Sequence, residues 1–242
     1  MIRALLSRPD EVMLELGAGG ELIVARLRAG LSALVLLLPL AGALTGADAS
    51  ETAIGLGAAI LVNAMAQLWL LLARDSRAHE WLPWVTCAWD VTTVTGVLAL
   101  LAAGDRVAGM NSMVVWAFYL VAIAMTALRN DGRLTLFSGA LAIVQYGALA
   151  WFLFAASTPQ QLVSADYGTA TVANQVERLL LLVIMSLLML AVVRRMQRLV
   201  DLSGRDALTG LPNRRWLRQH ALKRLERLPK GGSLTVALLD ID

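Results

Sequence analysis

Apolar residues along this chain fall into six long runs separated by short polar segments. The runs cover about Val24 to Leu44, Ala53 to Ala73, Leu82 to Ala103, Ser112 to Leu128, Leu134 to Ala156 and Val176 to Val193. Each is close to the roughly twenty residues an α-helix needs to cross a bilayer core. The pattern predicts an all-α polytopic membrane helix bundle of six spans over residues 24–193. Residues 1–23 carry Asp10, Glu11 and Glu15 and lack an apolar stretch of signal-peptide length. They read as a cytoplasmic or interfacial amphipathic segment.

The polar segments give the orientation. Arg74 and Arg77 lie between spans two and three, Arg129 and Arg133 between spans four and five, and Arg194, Arg195 and Arg198 after span six. The alternate connections hold Arg106 and no other positive charge. The positive-inside bias therefore places the Arg-bearing loops and both termini in the cytoplasm. Composition agrees with a membrane protein: 58% of residues are hydrophobic and 16% charged, against about half and a quarter in soluble domains. The net charge of +3 sits at the ends of runs and in the tail, which argues against a nucleic-acid partner. Cys87 is the single cysteine and allows no intrachain disulfide.

Within the spans, Asp90 stands out. It lies about nine residues into span three, roughly 13 Å deep at the helical rise, where an ionisable group needs a polar partner or cavity. Asn63 and Gln67 share one face of span two, and Gln145 lies within span five. These four residues predict either a pocket for a ligand or proton, or hydrogen bonding between helices. Trp81 and Trp84 fit interfacial anchors. Pro39 and Pro83 allow kinks. Glu177 and Arg178, at the start of span six, are expected to pair or snorkel. His79 lacks the spaced partners of a metal site. The connection from Ser157 to Gln175 is polar and too short for a folded extracytoplasmic domain; it reads as a signal-receiving loop or a plain connector.

Span six is expected to run on into a linker over residues 194–205. Met189, Val192, Met196 and Leu199 follow the three-four-three spacing of a heptad seam, which suits a dimeric signalling helix. The tail then reads DALTGLPNRR from Asp206 to Arg215, an amphipathic helix, and an apolar strand ending in Asp240-Ile241-Asp242. Trp216, Leu217, Ala221, Leu225 and Leu228 supply the apolar side of that helix. A buried strand that delivers a carboxylate at its end offers a hard-oxygen ligand to Mg²⁺.

In the order and spacing of these pieces, residues 206–242 resemble the start of a GGDEF domain, the α/β catalytic module of diguanylate cyclases. The resemblance implies that Asp240 and the backbone carbonyl of Ile241 bind Mg²⁺ or Mn²⁺. It implies that Asp206, Asn213 and Arg214 fix the junction between signalling helix and catalytic fold. It also implies GTP as substrate, cyclic-di-GMP as product, a homodimer, and a bacterial inner membrane as location, with lipid around the spans. The GG[DE]EF turn is not in the sequence, so the 242 residues are themselves expected to be inactive. Two readings stay open: a membrane-bound cyclase with a six-span sensory and dimerising module, or a receptor whose GGDEF domain is degenerate or regulates a downstream phosphodiesterase domain. A transporter is disfavoured by the tail and by the lack of matching Gly/Pro-broken spans.

Overall fold

The structure is a computed structural model. It describes residues 11–46, 49–74 and 81–203, together with Thr209, Leu211, Asn213, Leu217 and Ser233. It is mostly helical, and among the described residues six helical segments are long and apolar enough to cross a membrane. They are Glu21–Leu44, Thr52–Ala73, Leu82–Gly104, Arg106–Arg129, Gly132–Ala155 and Val172–Leu199. All six expected spans are therefore present, with most limits within a few residues. The fourth begins earlier, at Arg106, and the sixth runs further at both ends.

The helices are α1 (Glu11–Val35), α2 (Leu37–Leu44), α3 (Ala49–Ala73), α4 (Leu82–Gly104), α5 (Arg106–Asn111), α6 (Met113–Thr126), α7 (Gly132–Ala155) and α8 (Val172–Ser203). The chain divides into two compact units, residues 1–194 and 195–242. In the second unit the N–H of Leu217 donates to the Asn213 carbonyl at 3.0 Å.

Two spans are interrupted, each for a local reason. The first loses its regular hydrogen bonding at Leu36, between α1 and α2, while Leu36 itself keeps helical dihedrals at φ −61 and ψ −26. Pro39 lacks the N–H that would bond the Val35 carbonyl, and its ring crowds that same carbonyl. The fourth breaks at Ser112, whose ψ of 102 leaves the helical region. Its first piece, α5, is capped by Asp105, whose side chain accepts from the Val107 N–H at 2.8 Å. Asp131 caps α7 in the same way through the Arg133 N–H at 2.9 Å, and both acidic caps satisfy donors that a helix start leaves bare. The fourth span ends in a 3₁₀ turn, Ala127–Arg129, closed by Asn130 at φ 55, a left-handed position asparagine tolerates. Pro83 sits in the first turn of α4, where it bends nothing. At the amino end, α1 runs from Glu11 to Val35 without a break, so the helix passes straight through the expected boundary at residues 23 and 24.

The main core gathers Val91, Val94 and Leu98 of α4, Trp116, Tyr119 and Ile123 of α6, Ala142 and Tyr146 of α7, and Leu182 of α8. Tyr146 meets Trp116 and Tyr119 edge-to-face at centroid distances of 6.3 and 5.8 Å, the geometry aromatic quadrupoles favour. A second cluster joins Ala25 of α1, Trp69 and Ala73 of α3 and Leu82 of α4. On α8 the buried stripe is Leu182, Ser186, Leu190 and Val193, at helical spacing. Its other face exposes Leu180, Ile184 and Leu187, as a surface in contact with lipid would.

Two glycines let helices approach closely. A Cβ at Gly109 would lie 2.4 Å from the Ala102 Cβ, and one at Gly139 only 2.1 Å from the Ser186 Oγ. Small residues at such contacts take the place that hydrophobic driving force holds in water. Gly139→Ala is expected to destabilise the bundle by about 1–3 kcal/mol through overpacking. Unfolding in detergent checks this, and Ser186→Gly in the same chain should recover most of the loss.

The connection after α7 is ordered. A capping box pairs Thr158 with Gln161 at the 3₁₀ turn Pro159–Leu162. A small antiparallel hairpin follows, Val163–Ser164 against Gly168–Thr169. Gly168 takes φ 69, which suits a residue without a Cβ.

Candidate functional site

Three groups of polar side chains stand out among the described residues of the bundle. The first lies where α1, the start of α4 and the 3₁₀ turn meet. Arg129 donates from Nε to Glu21 Oε2 at 2.5 Å and from Nη2 to Glu21 Oε1 at 3.1 Å. Its Nη2 also donates to Thr86 Oγ1 at 2.8 Å, and its Nη1 to Cys87 Sγ at 2.8 Å. Both charged side chains are 2% exposed. A fork of donors against a carboxylate is the arrangement that makes burying two charges tolerable. The positive-inside argument treats Arg129 as a loop residue; the structure makes it a packing residue too.

The second group holds Asp90. Its carboxylate accepts from Arg28 Nη2 at 2.6 Å, with the side chains 17% and 8% exposed. The expectation that Asp90 needs a partner at its depth holds, and the partner is Arg28 of the first span. One turn further on, Ser32 Oγ accepts from Asn63 Nδ2 at 3.2 Å. Gln145 sits elsewhere. It accepts from Thr95 at 2.7 Å and donates to Thr92 at 3.0 Å, with the Tyr119 hydroxyl 2.7 Å from Thr95. Gln67 is exposed. The four residues singled out from the sequence therefore do not form one cluster. Asn63 and Gln145 tie helices together, and Asp90 lines the cavity described below.

The third group fastens the hairpin. Asn111 Nδ2 donates to the carbonyls of Tyr167 at 2.9 Å and Thr169 at 3.3 Å. Gln175 Nε2 donates to Asn111 Oδ1 at 3.3 Å, and its Oε1 accepts from the Tyr146 hydroxyl. Ser164 Oγ donates to Asp105 Oδ2 at 2.5 Å. Arg178 does not pair with Glu177. It donates to the Asn111 carbonyl at 3.1 Å and lies 5.2 Å over the Trp116 ring, a cation–π contact. At the other end of the bundle Trp84 packs on Phe137 at 5.3 Å, beneath Arg133 at 6.0 Å.

The cavity beside Arg28 and Asp90 measures about 650 Å³ and lies among α1, α2, α3, α4 and α6. Its wall is chiefly apolar.

The catalytic expectation falls outside this geometry. Asp240, Ile241, Asp206 and Arg214 lie outside the described residues, as does His79. Asn213 is described and half-buried. Among the described residues there is no group of three or more His, Cys, Asp or Glu side chains that could hold a metal ion. Compared with known proteins, the chain matches no family model, no curated protein and no solved structure.

Sequence reasoning missed Glu21, Arg28 and Arg129 as bundle residues. A signal existed. Arg28 and Asp90 are opposite charges, each seven or eight residues past the start of spans that begin at Glu21 and Leu82. Spans one and three run the same way, so equal depth makes the two charges natural partners.

Proposed function

We propose that the protein acts as a membrane-bound diguanylate cyclase. Its six spans form the sensory and dimerising module, and a cytoplasmic GGDEF domain joins two GTP into cyclic-di-GMP. The observation that carries this is the Asp206–Arg215 block followed, at the family's spacing, by the strand ending in Asp240-Ile241-Asp242. Mg²⁺ or Mn²⁺ held by Asp240 and the Ile241 carbonyl would offset charge on the GTP phosphates, the chief need of phosphoryl transfer. The protein is placed in the bacterial inner membrane with both termini cytoplasmic, where GTP is available. The long helix Val172–Ser203 supports the reading, since it links the last span to the tail without a break up to Ser203. The test is direct. The protein with its complete catalytic domain, reconstituted in lipid with GTP and Mg²⁺ or Mn²⁺, should release cyclic-di-GMP and pyrophosphate. No product with either metal favours the receptor with a degenerate domain.

A cyclase must bring two GTP-loaded domains face to face. Val192, Met196 and Leu199, three of the four seam positions, are exposed on α8 and so are open to a second copy. With Cys87→Ala as background, Leu199→Cys should crosslink between protomers in the membrane. Efficient crosslinking only from other spans would move the dimer contact away from this seam.

A further inference from the structure

We infer that the cavity among α1, α3, α4 and α6 is a binding site for a neutral, single-chain amphiphile whose carbonyl oxygen is received by Arg28. A guanidinium carries five N–H donors and no acceptor. Arg28 uses Nη2 on Asp90 at 2.6 Å, while its Nε and Nη1 are buried without a hydrogen-bond partner. The side chain is 8% exposed and lines the cavity. Buried donors on a charged group are costly to leave bare, and a membrane interior offers no water to satisfy them. Near the other end of the same cavity the buried Thr52 Oγ1 also has no partner.

The space between is shaped for an apolar chain. Ala58 and Ala59 of α3 line it with small side chains, and Val94 and Ala122 are also in its wall. From Arg28 to Gly42, both in the wall, the helical rise spans roughly 20 Å. The volume of about 650 Å³ falls within the usual range for small-molecule sites, which combine apolar walls with a few placed polar groups.

Charge and depth select the head. Arg28 and Asp90 already neutralise one another, so an anionic head would leave a net negative charge within the apolar bundle, at a high cost. A neutral carbonyl takes the free N–H groups without that cost. The pair lies about 10 Å along the spans from their ends at Glu21 and Leu82. The head of a diacyl phospholipid belongs at the interface, not at this depth. The ligand class is therefore a long-chain ester or ketone. The site is a property of the bundle and stands apart from the chemistry of the tail.

The test uses a diazirine-bearing methyl palmitate and the full chain in phospholipid nanodiscs, where bulk lipid competes throughout. Photolabelling should saturate and map to residues 52–62 and 113–125. Unlabelled methyl palmitate should compete at least about tenfold better than hexadecane, which lacks the acceptor, or ionised palmitate. Arg28→Gln combined with Asp90→Asn removes the charge pair without stranding either partner and should abolish that preference. Ala122→Phe leaves the pair intact, fills the cavity and should abolish the labelling. Equal competition by hexadecane would overturn the role of Arg28, and better competition by palmitate would overturn the neutral head. Labelling confined to the exposed face of α8, or undiminished in the filled variant, would show bulk lipid contact only and overturn the site.

Discussion

Glu21→Leu is expected to lower the stability of the six-span bundle by about 3–5 kcal/mol, the usual cost of stranding one partner of a buried ion pair. The guanidinium of Arg129 would keep Thr86 and Cys87 as neutral partners but lose both of its bonds to a carboxylate. Thr86 would also lose a bond, since its hydroxyl donates to Glu21 Oε1 at 3.3 Å. The positive charge would then sit, 2% exposed, among groups that cannot neutralise it. Desolvation costs far more than two neutral hydrogen bonds return. The double replacement Glu21→Leu with Arg129→Met removes both charges and should fall well short of the single variant's loss. Unfolding in mixed micelles measures the unchanged protein, the double variant and both singles, Glu21→Leu and Arg129→Met. A single variant as stable as the unchanged protein, or a double variant worse than the sum of its singles, would show that the pair does not hold α1 against the fourth span.

How much of this was readable from the sequence depends on the length scale of each signal. Six runs of apolar residues carry the spans because the bilayer sets one length for all of them. Pro39 marked the first break, since its missing donor acts on its own helix. The break at Ser112 left no comparable mark. Asp105 caps α5 and Gly109 lets it pack on Leu98 and Ala102, yet neither residue type is unusual in a loop. The hairpin at 163–169 was hidden for the same reason. Its stability comes from Asn111 and Asp105, which reach it from the fourth span. The ion pairs depend on which helix faces meet. Asp90 was legible as a charge in need of a partner. That the partner is Arg28, and that Gln145 turns to Thr92 and Thr95 instead, requires the packing of α1, α4 and α7. The cavity is the least legible feature, because it is set by how the faces of five helices meet.

On the proposed cyclase reading, Asp240→Asn should reduce cyclic-di-GMP synthesis to little or nothing in the protein carrying the complete catalytic domain. The substitution keeps much of the side chain's shape and removes the negative charge that attracts Mg²⁺. Loss of partners that only support metal ligands already costs roughly 10–100-fold, so loss of a ligand itself should cost at least about a hundredfold. The variant should insert and dimerise normally, because Asp240 is far along the chain from Glu21, Arg28, Asp90 and Arg129. Product measured by liquid chromatography, alongside Leu199→Cys crosslinking, separates the outcomes. Normal synthesis by the variant would refute Asp240 as a ligand while leaving the cyclase in place. Lost synthesis with lost crosslinking would point to misfolding, and Asp240→Glu would then decide. It keeps the charge, so partial recovery with Mn²⁺, whose site tolerates longer ligands better than the strict octahedron of Mg²⁺, supports metal binding. No recovery with either metal in a folded, dimeric Asp240→Glu protein would count against it.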